Sequence, residues 1–179
     1  MTLISSGKIT FVVQGTYYVS SHPDATFSTV LGSCISVCLH DPVARIGGMN
    51  HFLLATGQGE DSGHIRFGVN AMEQLINEML REGASRPRLQ AKLFGGGRMS
   101  NNFADVGKGN SDFAEEFMLN EGIFVVSKSF GGNSARRLVF TPATGQAKML
   151  FVPVDLLRPA EMLPPRPGGC HRSGSLDLF

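Results

Sequence analysis

No apolar run in this chain approaches the roughly 20 residues needed to cross a bilayer, and its start lacks the charged-then-apolar pattern of a secretory leader. A soluble protein of the cytoplasm is the expectation, with no membrane insertion. Charge of one sign is equally scarce: the net charge is +1, and only Arg136-Arg137 sets two basic residues side by side. That leaves no basic stripe for a phosphate backbone, so no nucleic acid is expected as a partner. Cysteine is sparse and odd in number, at Cys34, Cys38 and Cys170, and two of the three sit four residues apart in strand-like sequence. That is poor geometry for a disulfide framework, and reduced thiols follow. With 179 residues the chain is long enough to bury a core without disulfide or metal, and no cofactor is called for.

What the chain does have is Cys34 and His51, on two short apolar segments, Ile35 to Leu39 and Met49 to Leu54. Gly32-Ser33 turns the chain just before the thiol, and a run rich in Ile, Val and Leu follows it, which reads as a strand. Asp41-Pro42-Val43-Ala44 supplies a turn between the segments, so a hairpin is expected to set them side by side. A free thiol near neutral pH is only a few per cent ionised and needs a neighbour to take its proton. His51 is that neighbour in this reading. The competing plain reading is a small core cysteine and a hydrogen-bonded bystander histidine. A zinc site from Cys34, Cys38, His40 and His51 fails on spacing: positions 34, 38 and 40 of one strand lie about 7 to 14 Å apart along it, and no CxxC is present.

Around this pair the pattern is mixed. Ile9 to Val13 and Tyr17 to Ser20 read as short strands broken at Gly15, with a polar turn at Ser21 to Asp24. Ala55 to Gly63 is Gly-rich and aperiodic, a candidate lid beside the histidine. Val69, Met72, Leu75, Ile76, Met79 and Leu80 recur at helical spacing and stop at Gly83. Leu89 to Phe94 is a strand ending in three glycines, and a second helix is expected from an N-cap at Asn110 or Ser111 to Gly122. Three further strands, 123–130, 136–141 and 147–152, are separated by Gly131 to Ser134 and Pro142 to Gly145, both read as hairpin loops. The glycines at 95–97 and 107–109 lack Walker spacing; they are read as turns or as close approaches of backbone, with a weak anion site before the second helix as the alternative. Two helices among many strands give an α+β domain over 1–158. The Pro-, Gly- and Ser-rich stretch 159–179, with Cys170 and His171, reads as a flexible tail.

Six motifs in order give the chain a resemblance to a known family. They are Leu31-Gly32-Ser33-Cys34 through Asp41-Pro42, Gly48-Met49-Asn50-His51-Phe52-Leu53-Leu54, Arg66-Phe67-Gly68, Phe94 to Met99, Gly107-Lys108-Gly109-Asn110, and Gly131 to Arg136. Together they resemble the chemoreceptor glutamine deamidases of chemotaxis, CheD, from about Gly15 to Pro153. The resemblance implies a single-domain layered α/β/β sandwich similar to toxin-type glutamine deamidases. It also implies hydrolysis of selected glutamine side chains to glutamate in methyl-accepting chemotaxis receptors, with release of ammonia.

Cys34 and His51 fall on the family's catalytic pair. The family's third residue, a threonine, falls on Ser28, a departure that keeps the hydroxyl; Thr29 is the alternative orienting residue. In this chemistry a Cys34 thiolate forms a thioester, and His51 passes the thiol proton to the leaving ammonia. Backbone at Gly32 and Ser33, with the Cys34 amide, is the candidate oxyanion site. A CheC-type phosphatase is the implied second partner. The alternative function is a regulatory binding partner of that phosphatase with little catalysis of its own; a different thiol amidase, such as a peptidase, is a third reading.

Overall fold

The computed structural model describes residues 9–54, 62–99 and 106–153. Their order is β1 (Ile9–Phe11), β2 (Tyr17–Ser20), β3 (Thr26–Leu31), β4 (Ile35–Asp41), β5 (Ile46–Asn50), α1 (Ser62–Arg81), a single 3-10 turn at Arg86–Arg88, β6 (Gln90–Gly95), α2 (Val106–Asn120), β7 (Phe124–Phe130), β8 (Ala135–Thr141) and β9 (Gln146–Val152). Nine strands make two sheets, one ordered β1-β3-β8-β9 and the other β2-β5-β4-β6-β7. Most of the expected lid, residues 55–61, and the tail from 159 lie outside the described residues, whereas Ser62 and Gly63 belong to α1.

Strand alternation explains the layering. On β4, Ile35, Val37 and Leu39 pack with Met72, Leu75, Ile76 and Met79 of α1 and with Ala114, Phe117 and Met118 of α2. Cys38, from the other face, packs with Met49, Phe94, Phe27, Leu31, Leu138 and Phe140 between the sheets. The five-stranded sheet is thus covered by helices on one side and by the four-stranded sheet on the other, the expected α/β/β sandwich. The helical stripe of α1 ends at Gly83, whose φ of +105° closes the helix with the Ala84 amide on the Met79 carbonyl.

Three expectations need correction. Strand β3 has no counterpart in the sequence reading, because Thr29 stands between Phe27 and Leu31 on the inward face and breaks the apolar alternation. The segment Gly131 to Ser134 is not a hairpin loop: β7 belongs to the five-stranded sheet and β8 to the four-stranded one, so the chain crosses between sheets there. Arg136, fully buried, holds the crossing by donating to the Ser129 carbonyl at 2.5 Å and to the Gly131 carbonyl. Finally, α2 begins at Val106, so Asn110 and Ser111 are interior to it rather than caps, and Gly107 is its second residue rather than an anion-binding loop. A Cβ at Gly107 would stand 2.4 Å from the Gly96 carbonyl oxygen, so a close approach of two backbones is what this glycine permits.

Candidate active site

The hairpin of β4 and β5 is antiparallel, with Cys38 opposite Met49, and the same register continues to a bridge between Ile35 and Phe52. Both bridge residues exchange backbone bonds at 2.9 Å. Continuing that register sets His51 across from Ser36, which makes Cys34 and His51 diagonal neighbours on the face turned to the other sheet. Diagonal Cβ atoms stand about 7 Å apart; the Cys34 thiol is bonded to Gln14, and His51 Nε2 makes no hydrogen bond to it.

Asn50 fixes this corner. Its Oδ1 takes the Val37 amide at 2.9 Å, in place of a ladder carbonyl, and its own carbonyl accepts the Ser36 hydroxyl at 2.6 Å. His51 is secured on its other edge by Gly15, whose amide donates to the His51 carbonyl at 2.8 Å, and by its own amide donating to Thr16 at 3.1 Å.

The hydroxyl against His51 is that of Thr29, not Ser28. Thr29 Oγ1 lies 2.9 Å from His51 Nδ1, while Ser28, the preceding residue of an extended strand, projects to the opposite face of the sheet. The network also sets the tautomer. Thr29 donates its hydroxyl proton to the Val12 carbonyl at 2.7 Å, so toward His51 the oxygen is left as an acceptor, and Nδ1, also 3.2 Å from that carbonyl, carries the ring proton. Nε2 keeps its lone pair, buried and without a hydrogen-bond partner among the described residues. An unspent basic nitrogen is what deprotonating Cys34 requires.

Burial sets the resting charges. It pushes the Cys34 thiol up to about 11, against the opposing pull of its own backbone amide, and holds the His51 imidazole below its ordinary value despite the Val12 bond. Thiol and imidazole are therefore both neutral at neutral pH. Cys38 is different: wholly buried in the intersheet core, its thiol is pushed still further up. A cavity of about 110 Å³ opens farther along the same face, among Cys38, His40, Lys92, Phe140, Thr144 and Gly145. None of the residues around the Cys34 and His51 pair lines it.

The turn carrying the thiol is held from below by three bonds to successive carbonyls. Gly97 donates to Gly32 at 2.8 Å, Asn110 Nδ2 to Ser33 at 2.8 Å, and Gly96 to Cys34 at 2.9 Å. At Gly95, with φ of +125°, a Cβ would lie 1.9 Å from the Cys34 carbonyl oxygen, so only glycine lets β6 approach. Asn110 also accepts the Leu54 amide at 2.9 Å on Oδ1, and so joins the thiol turn to the chain leaving His51. The sequence pattern reads Asn110 as a cap; its place in the Gly107-Lys108-Gly109-Asn110 motif is the available signal, and of those glycines Gly107 packs against Gly96. Gln14, whose Oε1 accepts the Cys34 thiol at 3.5 Å, carried no signal beyond standing next to a turn glycine.

The family model described as "CheD chemotactic sensory transduction" matches residues 53–150. A "Probable chemoreceptor glutamine deamidase CheD" of Caulobacter sp. (strain K31) is 50% identical over 172 residues, covering 94% of this chain and 91% of that protein. The chain belongs to the CheD family. Other CheD relatives similar to it include a Zymomonas mobilis protein of the same description, 48% identical, covering 98% of this chain and 95% of its own. Another, from Cereibacter sphaeroides, is 46% identical over 86% of this chain and 77% of its own. The fold is also similar, at a TM-score of 0.43 and 13% identity over 63% of this chain and 49% of the other, to a solved Bacillus licheniformis hypothetical protein YfiH. No helix among the described residues is long and apolar enough to cross a membrane.

Proposed function

We propose that this protein is a protein-glutamine glutaminase that hydrolyses selected glutamine side chains of methyl-accepting chemotaxis receptors to glutamate, with Cys34 as nucleophile and His51 as base. The observation that carries this reading is the His51 ring: Nδ1 is spent on Thr29 and Val12, and Nε2 is left basic and unpartnered among the described residues, one residue past β5. The relatives' shared description as chemoreceptor glutamine deamidases supplies the substrate class.

In this mechanism Nε2 takes the Cys34 proton as sulfur attacks the amide carbon, and the imidazolium is steadied by the Thr29 oxygen. The C–N bond then breaks, and His51 returns the proton to the departing ammonia. Water, deprotonated by the same nitrogen, hydrolyses the thioester and restores the thiol. Because both groups start neutral, proton transfer is coupled to attack rather than completed beforehand. Ile65 and Phe67 stand about half exposed (49% and 48%) on the first turns of α1, next to Gly68, which packs on Leu54. An apolar rim there suits a helical protein substrate. A CheC-type phosphatase is the second partner in this reading, and the cytoplasm its compartment.

The test is peptide mapping by mass spectrometry of a receptor cytoplasmic fragment incubated with this protein or with Cys34→Ala. Conversion of particular glutamines to glutamate that depends on Cys34 is the expected result. Absence of conversion with the folded, reduced protein would refute it.

A further inference from the structure

Gln14 stands on the turn between β1 and β2, half-buried, with its Oε1 3.5 Å from Cys34 Sγ as acceptor of the thiol proton. Its position is not that of a loose surface side chain. On one side Val12 donates its amide to the Ser28 carbonyl at 2.8 Å and offers its own carbonyl to Thr29 and His51; on the other, Gly15 and Thr16 bond the His51 backbone. The backbone that presents Gln14 is thus fastened to the same frame as the nucleophile's base.

A carboxamide has one acceptor and two donors. Its terminal torsion is broad and two-fold, so a half-turn exchanges oxygen for nitrogen at small cost. At rest the thiol is a donor, and the oxygen serves it. Once the proton has left for His51, negative charge sits first on sulfur and then on the oxygen of the tetrahedral intermediate, and an acceptor there is repelled. The Cys34 backbone amide already points at the sulfur, but burial dominates and keeps the thiolate unfavourable. A second donor has a clear task.

We propose that Gln14 is a catalytic residue whose carboxamide accepts from the Cys34 thiol at rest and, turned over, donates from Nε2 to the thiolate and to the oxyanion. The oxyanion half of this assignment rests on the amide hydrolysis proposed above; the thiolate half does not.

The experiment compares the full chain with Gln14→Met, which keeps the length and loses the donors, and Gln14→Glu, which keeps the shape and adds a charge. Two readouts are taken: the rate of iodoacetamide alkylation at Cys34 at pH 8, and deamidation of the receptor fragment. Thermal melting checks folding in each variant. Alkylation is expected to fall about ten-fold in Gln14→Met, through a smaller thiolate fraction, and further in Gln14→Glu. In deamidation kcat is expected to fall about 100-fold with KM changed little.

Unchanged alkylation in both folded variants overturns the proposal. So does faster turnover in Gln14→Met, which would make the side chain an obstruction, or conversion of Gln14 itself to glutamate in wild type but not in Cys34→Ala, which would make it a substrate. If wild type converts no receptor glutamine, the amide-hydrolysis reading fails, and the alkylation rates alone decide the role of Gln14.

Discussion

Thr29 and Ser28 are adjacent hydroxyls separated by a strand's alternation, and the one that faces inward is the one bonded to His51. Thr29→Val removes both the acceptor for His51 Nδ1 and the donor to Val12. Its kcat is expected to fall by about 100-fold, part of the 10²–10⁴ that a positioned base contributes, while Thr29→Ser retains most activity and Ser28→Ala changes kcat little. Equal losses at both positions in a steady-state assay would remove the orienting role from Thr29.

The pH profile tests the neutral resting pair. The reactive form needs imidazole unprotonated and thiol protonated, so kcat/KM is expected to stay flat from below pH 6.5, the ordinary histidine value, up toward the thiol's value of about 11. An acid limb above pH 6.5 would contradict a buried neutral His51. The same depression has a stability side. The unfolded histidine binds protons that the folded one refuses, so this contribution is present above pH 6.5 and is lost as pH falls through the window below it.

At the scale of elements, the turn that carries Cys34 is only as firm as β6 and α2 beneath it. Asn110→Ala strips the partner from the Leu54 amide and the Ser33 carbonyl together. Leaving such groups unpaired costs about 2 kcal/mol, and kcat is expected to fall alongside Tm. Asn110→Asp should be worse still, since a carboxylate would face the Ser33 carbonyl. Gly95→Ala is expected to give inactive protein with a lowered Tm, from the collision with the Cys34 carbonyl; a stable, active variant in a melting and turnover assay would disprove that contact.

These elements also show where the sequence was legible. Strand β4 and the body of α1 were readable, because their apolar periods run uninterrupted and Asp41, Pro42 and Gly83 mark their ends, whereas β5 (Ile46–Asn50) begins three residues before the expected Met49 to Leu54 segment because Gly47 and Gly48 interrupt its pattern. Strand β3 was hidden because its inward Thr29 is polar, and the α2 start was hidden because Gly107, Gly109 and Asn110 look like loop residues. In β3 the residue that broke the pattern is bonded to His51, and in α2 Gly107 packs on Gly96 while Asn110 bonds the thiol turn. Gln14 was invisible for a different reason: nothing local distinguishes a glutamine that reaches a cysteine twenty residues away.

On the scale of the whole molecule, Asp41 ties the end of the β4–β5 hairpin to the segment that follows α1. It is wholly buried, takes the Val43 and Ala44 amides of its own turn at 3.0 Å and the Ser85 amide at 2.8 Å, and pairs with Arg88 at 2.8 Å. Burial alone would push its carboxyl up, but the Arg88 guanidinium and the three amides outweigh that and hold it well below the usual carboxylate range. Because the folded value lies below the unfolded one, this stabilisation is in force at neutral pH and is lost as pH falls below about 5, through the unfolded carboxylate value and on down through the folded one. Asp41→Asn is expected to lower Tm by about 5 °C or more at pH 7 and to flatten the acid side of the stability curve; an unchanged acid midpoint would show that another group sets it.

The pairing of Thr29 with Leu138 has a consequence for the chain while it is being made. Gln14, Thr29, Cys34 and His51 are all translated early, but β3 has no neighbour in β8, and the thiol turn has neither β6 nor Asn110 beneath it, until most of the remaining sequence has left the ribosome. A half-synthesised chain therefore carries Cys34, His51 and their hairpin, but neither β8 against Thr29 nor the support beneath the thiol turn. Amide-cleaving chemistry is withheld from the nascent polypeptide and acquired together with the finished fold.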